Sequence, residues 1–175
     1  MNFDPIAAAN SPDADTAADG AQVTAMGVMV QSLVIQSAAV LTGAGETNEA
    51  AAIAAVYEEV ATAISGAIDL SAASEITDAS GGASASFSSI ITGAAEALGM
   101  TDDQQSDVED AADTLAQIFV EAAEAVETLL ASDAAGSGLL TELAQIAIVS
   151  QDDAATVLED AVIANASGDT TALAS

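Results

Sequence analysis

Apolar residues recur along this chain in steps of three and four, and almost nowhere in strict alternation. Val23, Met26, Val30, Leu33, Val34, Val40 and Leu41 form the first long run, the spacing of one face of a helix. Gly43 and Gly45 close it. A second run, Ile53, Val56, Tyr57, Val60, Ile64 and Ile68, opens near Thr47 with Glu49 in its first turn and weakens at Gly66. Asp69-Leu70-Ser71 then reads as a short connection into a brief helix ending near Ala79, before Gly81-Gly82 breaks the chain. Phe87, Ile90, Ile91, Ala94 and Leu98 mark the next stripe, which Gly99 ends. No segment carries the period-two pattern of β-branched residues that a strand requires.

Capping residues sharpen the boundaries. Asp4-Pro5 places an N-cap acceptor before a proline at the first helical position, and Ser11-Pro12 repeats the arrangement with Asp13 and Asp15 behind it. Thr101-Asp102-Asp103-Gln104 is a capping box, in which Thr101 and Gln104 each satisfy one orphan backbone donor. A long helix follows, with Val108, Leu115, Ala122 and Leu129 in heptad register and Ala111, Ile118 and Ala125 between them. Gly136-Ser137-Gly138 reads as a flexible connector, Leu139, Leu140, Leu143, Ile146 and Ala147 as a further helix, and Ser150 as the cap of a last one with Val157, Leu158, Ala161 and Val162 inward. The fold class is all-α, a bundle of roughly five to seven Ala-rich helices. It forms a single helical domain over 1–175, with a sub-boundary near 99–101. The similar junctions Ala9-Asn10-Ser11-Pro12-Asp13 and Asn165-Ala166-Ser167-Gly168-Asp169 suggest a piece of a longer, repetitive chain.

Charge changes the picture more than any motif. The 175 residues include no Lys, Arg or His and 28 Asp or Glu, for a formal charge of −28. No side-chain salt bridge can form, so each carboxylate depends on water, a backbone N–H, a neutral side chain or a cation from the surroundings. Mutual repulsion disfavours the compact state unless counterions screen it, over roughly 8 Å at physiological salt. High charge alone does not imply disorder, because 51% of the residues are apolar. Alanine supplies much of that share and only 2% of residues are aromatic, so the expected core is one of closely approaching helices with modest stability per residue. Nucleic-acid binding is excluded, since nothing can displace counterions from phosphate. Attraction to an anionic membrane surface fails for the same reason. The apolar stretch Ala25 to Val40 carries Gln31, Ser32 and Gln36 and has no basic flank, which points to a buried helix rather than a membrane span, and the first residues lack the positive region of a signal peptide.

Carboxylates are therefore the main candidate chemistry. Asp13, Asp15 and Asp19, then Asp102, Asp103, Asp107 and Asp110, and then Glu121, Glu124 and Glu127, each fall within one or two helical turns. Calcium takes about six to eight oxygen ligands and is the natural guest of such groups. The segment from Asp13 to Gly20 fails the EF-hand pattern at its third ligand and in its glycine. Two readings of the seven aspartates remain: cation ligands, with calcium as the one cofactor to consider, or a solvated acidic face holding a diffuse ion cloud. Histidine-dependent di-iron and serine-triad chemistry lack their bases. Paired carboxylates for glycoside cleavage would lack aromatic residues to stack a sugar. Met26, Met29 and Tyr57 lie on apolar stripes and read as core. The small residues from Ser80 to Ser89 suit a close crossing or a connection.

Asn2-Phe3-Asp4-Pro5-Ile6-Ala7-Ala8-Ala9, an Asp-rich break, a long helix through Val34 and then Ala67-Ile68-Asp69-Leu70-Ser71 together cover roughly the first 80 residues. This segment resembles the Ala- and Asp-rich helical segments of very large bacterial surface or secreted proteins of the RTX and cadherin-like adhesin type. The resemblance implies type I export, calcium-rich surroundings outside the cell and a spacer or adhesive role among tandem domains. The calcium-binding nonapeptide repeats of those proteins are absent here, so no ligand is carried over. The expected function is that of a non-enzymatic structural, spacer or adhesive module, its partners being cations and neighbouring domains. The competing expectation is a helical subunit that recognises a basic protein by charge complementarity; a hydrolase using carboxylates alone stands third.

Overall fold

The computed structural model describes residues 4–65, 82–131, 137–149, 151 and 154–167, with the side chains of all but 63–65, 82–88 and 137. Seven helices follow one another in this part of the chain: α1 (Pro5–Ala9), α2 (Ala14–Gly43), α3 (Glu49–Ser65), α4 (Gly82–Ala97), α5 (Asp102–Ala131), α6 (Ser137–Ile148) and α7 (Ala154–Ala166). Among the described residues there is no strand, and the all-α bundle is as the periodicity predicts. The expected helix between Ser71 and Ala79 and the cap at Ser150 lie outside the described residues.

α2 is the axis of the molecule, in contact with all six other helices. Around it, α3 packs on α4, α4 on α5, and α5 on both α6 and α7. The reason lies in the sequence of α2. From Ser32 to Gly43 buried residues appear on every side of the helix, Leu33, Val34, Ala38, Val40 and Leu41 among them, and a helix apolar all round has to be surrounded. α2 is also the one described helix long and apolar enough to cross a membrane by length and composition, and half of its most apolar stretch is buried against its neighbours. One continuous core joins Ala9 of α1 to Val162 of α7.

The helix ends follow local chemistry. Asp4 caps α1, its carboxylate accepting from the N–H groups of Ile6 and Ala7 at 3.1 Å, with Pro5 at the first helical position. α2 starts later than Ser11-Pro12 suggests: Asp13 is the cap, and Ser11 Oγ instead accepts from the Asp13 N–H at 3.2 Å. For α3 the capping role falls to Asn48, whose Oδ1 accepts from the Ala51 N–H at 3.2 Å, one residue beyond Thr47. The capping box of α5 forms as read, with the Thr101 N–H on Gln104 Oε1 at 3.0 Å and the Gln104 N–H on Thr101 Oγ1 at 3.4 Å. Gly45 and Gly99 adopt φ of +110° and +69°, which lets the Glu46 N–H reach Leu41 O and the Met100 N–H reach Ala95 O. Both are Schellman ends, and a side chain at either glycine would strain them. Ser137 and Gly138 open α6 rather than forming a connector.

Close approach replaces bulk where α1 and α7 meet α2. A Cβ on Gly20 would lie 2.6 Å from the Ala8 carbonyl carbon, and one on Gly43 would lie 2.8 Å from the Glu159 carbonyl oxygen. Small residues therefore hold the buried line of the first half of α2, at Gly20, Ala21 and Ala25, while Val23 and Met26 face solvent, 45% and 37% exposed. Tyr57 and Val157, also read as inward, are 45% and 64% exposed. In each case the bulky residue lies off the buried side, and its smaller neighbours, such as Ala55 and Ala155, are within.

Candidate functional site

None of the described Asp or Glu side chains is buried. With no basic partner in the sequence, a carboxylate inside the bundle would carry an uncompensated desolvation cost, so the fold turns its acids outward. The seven candidate aspartates obey this rule and divide between two helix starts. Asp13 is committed to its cap: one oxygen, Oδ1, accepts from the Thr16 N–H at 2.9 Å and from Thr16 Oγ1 at 2.8 Å. Those two bonds, the backbone one foremost, hold its pKa below the usual carboxylate value. Asp15 and Asp19 are exposed on the first turns of α2.

Asp102 and Asp103 begin α5, where the positive end of the helix stabilises acidic groups. Asp103, Asp107 and Asp110 continue along one face at steps of four and three. Asp107 is half-buried where α5 meets α7, and its Oδ1 accepts from Asn165 Nδ2 at 3.4 Å. Its pKa is raised, first by burial and then by the charges of Asp110 and Asp103. Among the described residues no three carboxylates converge closely enough to hold a metal ion. The aspartates are thus distributed along two helix faces, where they generate a field without enclosing a point.

A different feature appears on the outer side of α5. Between α5 and α6 runs an open groove with a cavity of about 370 Å³, its apolar wall formed by Ile118, Ala122, Ala125, Ile146 and Val149. A second hollow continues it towards Leu129 and is bordered by Glu121, Glu124 and Glu142. Ile118, Ala122 and Ile146 are partly buried and rest on the core, while Ile148 and Val149 beside them are 62% and 58% exposed. The heptad pattern does not disclose this groove, because it assigns Ile118, Ala122 and Ala125 to the core seam. The available signal was the width of the α5 stripe, which exceeds what one packed face needs.

In comparison with known proteins, no family model, no curated sequence and no solved structure matches the chain.

Proposed function

We propose that the chain is a non-enzymatic structural, spacer or adhesive module of a large extracellular bacterial protein. The observation that carries this reading is the separation of the molecule into an Ala-close helical core and a shell whose only charged side chains are carboxylates. Such a shell stays hydrated and repels its like, and it needs abundant cations around it, a condition that a saline exterior meets. The resemblance of the first 80 residues to helical segments of secreted bacterial adhesins supports the same placement. Calcium and other cations then act on the shell as a screening atmosphere.

An antibody raised against this chain tests the reading on intact source cells. Protease shaving should remove its epitope from the cell surface, and the reactive species should run well above 17.0 kDa. An epitope that survives shaving and appears only after lysis would overturn the proposal.

A further inference from the structure

The groove between α5 and α6 combines an apolar floor open to solvent with an acidic border. Its floor and border residues run from Ile118 to Leu129 on α5, about 16 Å of helix axis at ~1.5 Å per residue. That length accommodates roughly three turns of a helix laid alongside, the usual reach of a helix-in-groove contact. Ile118, Ala122 and Ile146 would meet its apolar stripe. Glu121 and Glu124 on one side and Glu142 on the other would face the residues flanking that stripe.

Charge decides what the occupant is. A second copy of this chain brings further carboxylates and not one cation, so its approach to Glu121, Glu124 and Glu142 is repulsive. An uncharged apolar segment would leave those three groups without partners at the edge of the contact. We propose that the groove docks an amphipathic helix from a basic partner protein, with Lys or Arg on both sides of its apolar stripe. This inference is independent of where the protein resides, since it rests on the shape and charge of one face.

The test must separate groove binding from general attraction to a polyanion. The probe is a helical peptide of about five turns with leucines on one face and lysines flanking them, compared with a peptide of the same composition in scrambled order. Affinity is measured by fluorescence anisotropy against the full chain and three variants, each checked for helicity by circular dichroism. Ala125→Tyr fills the groove at an exposed position without changing charge. Glu121→Gln with Glu124→Gln removes two of the three border charges, and Glu49→Gln with Glu58→Gln removes the same charge from two exposed positions of α3. The expected result is a loss of about tenfold for each groove variant, the scale of a well-placed contact at an interface. The α3 variant should lose no more than about twofold, and the scrambled peptide should bind as weakly as the ordered peptide binds the filled groove. Equal losses at α3 and at the border, equal affinity for the scrambled peptide, or self-association of the chain that Ala125→Tyr abolishes would each overturn the proposal.

Discussion

Asp107 and Asp13 carry opposite environments on chemically identical groups. In the folded chain Asp13 accepts two hydrogen bonds from Thr16, so its pKa is lowered. Its contribution is present above the pKa of an unfolded Asp and is lost as pH falls through the lower folded value. Asp107 has a raised pKa from burial and from its neighbours Asp110 and Asp103. There the native state holds its proton longer than the unfolded one, so stability falls as pH rises through the ordinary carboxylate range of about 4 and on through the folded value. Asp107→Asn removes the charge but keeps an oxygen for Asn165 Nδ2. Its thermal midpoint should exceed that of the parent at pH 7 in low salt, and the gap should close as the pH is lowered below about 4. A variant that melts below the parent at pH 7 would show that the carboxylate is stabilising.

Among the elements, α5 shows what a sequence discloses and what it does not. Its capping box and its start were legible because Thr101 and Gln104 act on their own backbone, with no tertiary partner needed. The seam was legible in part. Val108, Ala111, Leu115 and Leu129 are buried as the heptad pattern requires, but between Leu115 and Leu129 the buried line runs through Phe119, Ala123 and Val126, and Ala125 is exposed. A straight helix drifts by about 20° per heptad, and the interleaved line Ala111, Ile118, Ala125 passes from buried through half-buried to exposed along it. That drift placed Phe119 at full burial and released Ile118 and Ala125 to the groove. The helix crossings were hidden for another reason: in α2 the contact residues are glycine and alanine, which carry no hydrophobic signal. Gly20→Ala forces a methyl group against the backbone of Ala8 and Ala9 and should cost about 1–3 kcal/mol in urea unfolding, as overpacking does. At Gly27 nothing lies within 4 Å of an added Cβ, so Gly27→Ala should stabilise α2 by about 0.5–1 kcal/mol. Equal effects at the two positions would contradict the close α1–α2 crossing.

For the whole molecule, the sequence holds 28 carboxylates and not a single basic side chain, and every described carboxylate lies outside a core built on one apolar helix. Burial around α2 favours the compact state, and the shell opposes it through repulsions that no internal cation offsets. The balance therefore depends on ions in the solvent, whose screening length shortens from about 30 Å at 0.01 M to about 3 Å at 1 M. Net charge was readable at once from the sequence. What required the structure was that none of the described acids is buried, because the same composition is compatible with carboxylates held inside by helix ends or bound metal. The most direct measurement is the thermal midpoint of the whole chain between about 10 mM and about 1 M sodium chloride, repeated with calcium at matched ionic strength. The midpoint should climb steeply at low salt, flatten as screening becomes complete, and follow ionic strength alone. A midpoint that stays level from the lowest salt to the highest, or one that responds to calcium and not to sodium, would contradict the account.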